Sequence, residues 1–349
     1  MLSPKERQRY AQQIALPIIG IEGQARLKSY RVLCIGAGGL GSPLLLYLAA
    51  AGVGTLGIVD DDCVEESNLH RQILYKTHHL YEKKALIAQQ ELQQLNPSIQ
   101  INAYTERLLP ENADTILSQY DMVADCSDNF ATRYLINDIC FQLNIPFVSA
   151  SISQFQGQLT IFAGKKSPCY RCLFPAIPDT ILNCTEGGVL GVLPGILGTL
   201  QATEILKYAL HLPTSLAGRL LTIDSLAMTF REYQFATDPG CLLCGENAAD
   251  KLERPAQCAI LSTPFNELKD KKYRLLDVRT EKERAIHHLE NDVWIPLGEL
   301  SVRLHELDKT GAIVVYCERG PRSMQAVTML QQAGFESITY LKGGIASKQ

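Results

Sequence analysis

The chain has 349 residues, enough for two domains that each bury a core of their own. Hydrophobic residues make up 46% and charged residues 20%, the composition of an ordinary soluble globular protein. A formal net charge of −4 and a pI near 6.0 argue against a nucleic-acid partner or an anionic membrane surface. Residues 1–7 lack the apolar h-region of a signal peptide, and the most apolar stretch, 189–200, is too short to span a bilayer. Eleven cysteines, an odd number, in a chain without an export signal fit a reducing cytoplasm, where cysteines serve as metal ligands or nucleophiles.

Residues 1–30 are polar with helical spacing and predict an N-terminal helical arm. Residues 31–35 read as an apolar strand that runs into a glycine-rich turn and opens a helix over 42–51, with Pro43 near its first position. In the turn, Gly36, Gly38 and Gly41 fit G-x-G-x-x-G, whose glycines let backbone N–H groups approach a phosphate at a helix N-terminus. A second strand over 55–59 ends at Asp60, about where such folds place a carboxylate on ribose hydroxyls. A helix over 83–95 stops at Asn96-Pro97. Strands follow over 99–105, 122–125 and 146–150, with a helix over 132–143 between the last two. Residues 158–163 read as a strand of a flanking antiparallel portion. Residues 192–209 read as a buried helix, in which Pro194, Gly195 and Gly198 either weaken it or mark close packing.

This alternation predicts an α/β protein with a Rossmann-like doubly wound sheet and a flanking antiparallel portion across residues 1–245. Residues 246–261 lose periodicity and gain charge, as a linker would. Behind them, strands over 274–278, 313–317 and 338–341 and a helix over 322–333 predict a second, small α/β domain across 262–349.

Beside the nucleotide turn stands a dense polar run from Asp60 through Asp62, Glu65, Asn68 and Arg71 to Gln72, for which hydride transfer has no evident use. Adenylation has one: a carboxylate attacks the α-phosphate of ATP and pyrophosphate leaves. Cations must then stabilise the developing charge while a carboxylate holds magnesium. Arg71 and Lys84 can supply the cations. Asp128, in Asp125-Cys126-Ser127-Asp128-Asn129 just past a strand end, can supply the metal-binding group.

Taken in order, GAGGLGS, DDDxVExSNLxRQ, Lys84 before Leu95-Asn96-Pro97, and DCSDN resemble the ubiquitin-activating-like adenylyltransferases of the MoeB/ThiF family over residues 5–245. The resemblance implies that Asp60 binds the ribose, that Asn68, Arg71 and Lys84 contact the phosphates, and that Asp128 coordinates magnesium. Gly39 and Gln72 fall inside the same motifs as further nucleotide-binding positions. It further implies a homodimer that activates the C-terminal glycine of a ubiquitin-fold sulfur carrier ending in Gly-Gly. One position departs from the family: Gln12 stands where its N-terminal arm carries a second arginine that reaches the ATP phosphates of the partner subunit. A neutral amide does not replace that charge.

The cysteines divide by context. Cys169-x-x-Cys172 and Cys241-x-x-Cys244 are paired knuckles that suit a structural tetrahedral zinc. Cys184, in a glycine-containing loop before the apolar helix, is a candidate nucleophile toward the carrier's activated carboxyl, by thioester or acyl-disulfide. Cys34, Cys63, Cys126 and Cys140 read as small buried packing residues, and Cys258 has no informative context.

In the second domain, Leu275-Leu276-Asp277-Val278-Arg279, Trp294-Ile295-Pro296-Leu297 and Tyr316-Cys317-Glu318-Arg319-Gly320-Pro321-Arg322-Ser323 resemble a rhodanese-like sulfurtransferase. Cys317 stands between a strand end and a helix N-terminus, where loop N–H groups and the helix dipole favour a thiolate and then a persulfide. Arg322, with Arg319 as a second candidate, adds positive charge there. His287 in place of a glycine, and no aromatic after Gly343-Gly344, depart from that family.

The two halves compose one sequence of reactions: ATP-dependent adenylation of the carrier, then sulfur delivery from a Cys317 persulfide to give a thiocarboxylate. A cysteine desulfurase or thiosulfate would supply the sulfur. Two alternatives are a catalytically weak carrier-docking scaffold, suggested by Gln12, and an NAD-dependent oxidoreductase. The second shares Gly36, Gly38, Gly41 and Asp60 but leaves Arg71, Lys84, Asp128 and the knuckles without a purpose.

Overall fold

The computed structural model describes residues 1–175, 188–213, 216–246, 248, 262–263, 273–309, 311–318, 320–335, 337–341 and 343–348. The chain divides into two compact units, Met1–Leu252 and Glu253–Gln349.

The first unit holds an eight-stranded sheet. In spatial order it runs β3 (Gln100–Tyr104), β2 (Thr55–Val59), β1 (Arg31–Ile35), β4 (Met122–Asp125), β5 (Phe147–Ser153), β6 (Gln156–Phe162), β7 (Arg219–Asp224) and β8 (Thr229–Gln234). The strands from β3 to β5 pair in parallel, and β5 to β8 pair antiparallel. The doubly wound sheet with an antiparallel flank is therefore present. The chain builds outward from β1 to β2 and β3, then returns to place β4 on the other side of β1. This reversal opens a crevice beyond the carboxyl ends of β1 and β4, the usual ligand site of such sheets.

Successive residues of β1 face opposite sides, so a strand covered on both faces must be apolar throughout. Val32 and Cys34 enter one core with Leu44, Leu45, Leu48 and Ile58, whereas Leu33 and Ile35 enter the other with Val123, Ile136 and Phe147. Helices α1 (Pro4–Arg9), α2 (Ala11–Ile14) and α3 (Gly20–Ser29) form the N-terminal arm. Covering the sheet are α4 (Gly41–Ala51), α5 (Lys84–Leu95), α6 (Pro110–Leu117), α7 (Phe130–Leu143), α8 (Tyr170–Leu173) and α9 (Val192–Ala209). Within α9 it is close packing that explains Gly198: a Cβ there would stand 2.3 Å from the Leu40 carbonyl oxygen. Among the described residues no helix is long and apolar enough to cross a membrane.

The sequence pattern does not announce α6, β7 or β8. All six residues of β8 are exposed, so burial imposes no alternation on them. Cys34, Cys126 and Cys140 are buried as expected, but Cys63 is only half-buried, because it lies in the polar crossover after β2 rather than in a core.

In the second unit five parallel strands run β11 (Asp292–Trp294), β10 (Arg274–Asp277), β12 (Ile313–Tyr316), β13 (Ile338–Leu341) and β9 (Ser262–Thr263). Helices α10 (Glu281–Ile286), α11 (Leu300–Arg303) and α12 (Pro321–Gln332) complete it. The expected linker lies outside the described residues over most of its length.

The end of α5 shows how the arm is fastened. Asn96 is fully buried, and its amide donates to the Tyr10 hydroxyl at 2.8 Å and to the Ala49 carbonyl at 2.7 Å. One side chain thus joins the arm, α4 and α5. Asn96→Ala removes the donor to the buried Tyr10 hydroxyl and leaves the Ala49 carbonyl only the Gly52 N–H, and is expected to cost about 2–3 kcal/mol. Urea unfolding checks this: the midpoint should fall at unchanged slope, and an unchanged midpoint would contradict it.

Candidate functional site

Two glycines set the turn after β1. Gly36 has φ 91°, and a Cβ on it would stand 2.7 Å from the Cys126 carbonyl oxygen at the end of β4. A Cβ on Gly41 would stand 2.1 Å from the Gly36 carbonyl oxygen. The turn is thereby pressed against both the neighbouring strand and its own helix. Gly39 lies where a Cβ would meet Pro194 of α9 at 3.1 Å and the Arg71 stem at 3.6 Å. Gly38 faces the buried Gln72, whose Oε1 has no hydrogen-bond partner.

Asp60 leaves β2 directly beside this turn. Its carboxylate accepts from the Ala37 N–H at 2.7 Å and from the Asp62 N–H at 2.9 Å. Burial raises its pKa to about 6, although the Lys84 ammonium opposes the shift. Lys84 arrives there because the crossover folds back on itself: its N–H donates to the Asp62 carbonyl, and Cys63 pairs with Lys83. The buried Lys84 ammonium lies 2.9 Å from Asp62. Burial works to lower its pKa, but the Asp60 and Asp62 carboxylates outweigh burial and raise it.

A 3-10 turn, Glu66–Asn68, carries Asn68, and the turn that follows carries Arg71, whose N–H donates to the Asn68 carbonyl. Asn68 is buried and donates to the Ser67 hydroxyl, and the half-exposed Arg71 donates to the Ser67 carbonyl at 3.1 Å. Tyr75, which the sequence reading passes over, donates from a buried position to the Ala37 carbonyl at 2.8 Å. It ties the crossover to the glycine turn. Asp62, the Lys84 partner, could have been singled out from the Asp60-Asp61-Asp62 run.

Asp128 stands exposed at the other lip of the crevice. Its support is rigid. The fully buried Asp125 accepts from the Ser127 N–H at 3.1 Å, the Ser127 hydroxyl at 2.6 Å and the Ser149 hydroxyl at 2.7 Å. Arg133 donates to the Ser127 carbonyl at 2.9 Å, and Asn129 caps α7 by accepting from the Thr132 N–H. Gln12 is exposed on α2. Cys184 lies outside the described residues.

The four knuckle cysteines converge, with sulfur atoms all within 4.8 Å of one another. Individual Sγ–Sγ separations are 3.8 Å for Cys169–Cys172, 3.5 Å for Cys169–Cys241, 3.4 Å for Cys169–Cys244 and 3.2 Å for Cys172–Cys244. A tetrahedral ion with metal–sulfur bonds of about 2.3 Å would hold its ligands roughly 3.8 Å apart, so the donor set fits a tetrahedral thiolate metal. Burial pushes the Cys169 thiol well up and the Cys244 thiol up to about 12. Those two sulfurs are held neutral by burial, and a bound cation is what would favour their thiolate form as metal ligands. The knuckle is bolted to α7: Arg171 pairs with Asp138 at 2.9 and 2.7 Å, and the Tyr170 N–H donates to Asn137 at 2.8 Å.

In the second unit Cys317 follows β12 and is buried. The Gly320 N–H donates to its sulfur at 3.0 Å, with Gly320 at φ 114°, and the Ser323 hydroxyl lies 3.6 Å away. Arg322 does not stand beside the thiol as an unshared cation. It pairs with Glu283 of α10 at 2.8 and 2.5 Å, and this hydrogen-bonded pairing lowers the Glu283 pKa to about 2. Arg319 lies outside the described residues.

Comparison with known proteins agrees with this architecture. The ThiF family profile matches residues 10–243, and that of the rhodanese-like domain matches residues 265–347. The adenylyltransferase and sulfurtransferase MOCS3 of Arabidopsis thaliana is 38% identical over 99% of this chain and 83% of its own length. The sulfur carrier protein adenylyltransferase of Thermus thermophilus is 49% identical over 71% of this chain and 94% of its own. Among solved structures, E. coli MccB with MccA-N7isoASN matches 68% of this chain and 74% of that one at TM-score 0.61 and 18% identity, a likeness of fold alone. The chain belongs to the ThiF family and carries a rhodanese-like domain behind its ThiF part.

Proposed function

We propose that the first unit activates the C-terminal glycine of a ubiquitin-fold sulfur carrier ending in Gly-Gly, and that the second unit supplies the sulfur. The observation that carries this reading is the gathering, around one crevice, of a glycine turn, the acid Asp60, the cations Lys84 and Arg71, and the exposed carboxylate Asp128. The carrier carboxylate attacks the α-phosphorus of ATP, and the bond to pyrophosphate breaks. Asp60 accepts from the ribose hydroxyls, while Gly36, Gly38, Gly39, Gly41, Asn68 and Gln72 line the nucleotide. Arg71 and Lys84 offset charge on the phosphates, and Asp128 would hold magnesium. The adenylated carbonyl then accepts the terminal sulfur of a Cys317 persulfide, and AMP leaves. A second thiol cleaves the S–S bond, releasing thiocarboxylate and leaving a disulfide. Cys184 is proposed, on its sequence context, as a nucleophile toward the activated carboxyl of the carrier. Membership of the ThiF family sets the oxidoreductase alternative aside.

A cysteine desulfurase or thiosulfate is proposed as the sulfur source, the cytoplasm as the location and a homodimer as the assembly. The knuckle would hold zinc as a closed structural site. The donor chemistry and the sulfur spacing support zinc, which supplies positive charge to the clustered thiolates and performs no step.

Three outcomes test the assignments. Asp128→Asn should lower carrier-dependent ATP–pyrophosphate exchange by about a hundredfold or more with the melting temperature unchanged; retained exchange would remove Asp128 from the reaction. Because the Asp60 pKa is raised to about 6, acid protonates the group that accepts from the ribose. Adenosine, which has no phosphate to titrate, should bind more weakly as pH falls through that value, and Asp60→Asn should bind weakly with a flat profile. A flat wild-type profile would contradict the role. Cys172→Ser should remove about one zinc per chain by elemental analysis and lower the melting temperature, whereas unchanged metal content would refute the site.

A further inference from the structure

Glu318 follows Cys317 directly, an unexpected place for a carboxylate. A negative side chain beside a sulfur that must become an anion disfavours that anion, all else being equal. Its contacts explain its presence. Arg279 is fully buried, and the Asp277 carboxylate takes its Nε at 3.0 Å and one Nη2 bond at 3.0 Å. The other Nη2 bond goes to the His287 carbonyl at 2.7 Å. Arg279 Nη1 donates to Glu318 at 3.0 Å. A guanidinium without access to water needs an acceptor on that nitrogen, and Glu318 reaches it from the reactive loop.

The loop is pinned from a second side. The Ile345 N–H donates to the Cys317 carbonyl at 2.9 Å, and the Ala346 N–H donates to the Glu318 carbonyl at 3.1 Å. Both carbonyls are thereby turned toward the Ile345 turn. A peptide N–H points opposite to its own C=O, so the Glu318 N–H, which shares a peptide with the Cys317 carbonyl, points away from that turn.

We propose that Glu318 is a positioning residue for sulfur transfer: its carboxylate latches the loop of Cys317 to the buried Arg279. The inference rests on Cys317 being the sulfur-carrying residue. In the half-reactions concerned, the Cys317 thiolate takes the outer sulfur of thiosulfate and releases sulfite. Cyanide then takes that sulfur from the persulfide as thiocyanate and restores the thiolate.

The two effects of Glu318, latch and charge, predict opposite signs. The experiment measures sulfite release in a single turnover and steady-state thiocyanate formation, using the full chain with thiosulfate and cyanide. The variants are Glu318→Gln, Glu318→Ala, Glu318→Lys and Cys317→Ala, with a melting curve for each. Glutamine keeps an acceptor for Arg279 without the charge, alanine removes both, and lysine repels Arg279 while extending into solvent from a position about one-third exposed. A latch predicts that Glu318→Gln stays within about threefold of wild type, while Glu318→Ala and Glu318→Lys fall about tenfold or more in kcat with little change in KM. If alanine or lysine transfers sulfur as fast as wild type or faster, or if glutamine is as slow as alanine, the latch is wrong. Should alanine fail to fold, the lysine and glutamine pair carries the same opposition. Activity retained in Cys317→Ala would overturn the assignment of Cys317 itself, a separate failure.

Discussion

The chain turns from β1 into α4 in a space that one methyl group would fill. A side chain at Gly41 would overlap the Gly36 carbonyl, and one at Gly36 would overlap the end of β4. This contact fixes how closely β1, β4 and α4 approach, and the crevice is the gap it leaves. Two groups at its rim are tied to that turn: Asp60 through the Ala37 N–H and Tyr75 through the Ala37 carbonyl; the Arg71 stem lies where a side chain at Gly39 would meet it. Asp128 hangs from a turn whose buried carboxylate, Asp125, has three close hydrogen-bond donors. Buried hydrogen bonds of this kind hold an exposed carboxylate in a fixed place.

Most of the architecture was readable because its causes are local. A strand covered on both faces must be apolar along its length, a tight turn needs glycine, and a helix end next to proline is written in adjacent residues. What escaped lacks a local cause. The edge strand β8 is exposed at every residue, so no burial alternation marks it. Asn96 was visible only as part of a helix stop, whereas its amide joins three elements far apart in sequence. Tyr75 matters through the Ala37 carbonyl on another segment, and sequence spacing does not disclose such a partner; Asp62 was visible in the acidic run, but its pairing with Lys84 was not. The cation expected at Arg322 was legible as a residue, but Glu283, which neutralises it, comes from a separate helix.

The two reactive centres are built by different means. The ThiF part gathers charges of both signs around a crevice and leaves Asp128 accessible. The rhodanese-like part buries Cys317 and arranges a glycine N–H and a serine hydroxyl near the sulfur. Among the described residues, Arg279 and Arg322 nearby are each engaged by carboxylates.

The central claim is that one chain both activates a carrier carboxylate and delivers sulfur to it. Intact-mass measurement of a Gly-Gly-ending ubiquitin-fold carrier, incubated with the chain, magnesium, ATP, a reductant and thiosulfate, tests it most directly. The account predicts a carrier heavier by about 16 Da, one oxygen replaced by sulfur, and no gain when either ATP or thiosulfate is omitted. A carrier that is adenylated yet never gains that mass, or one that gains it without ATP, would contradict the account.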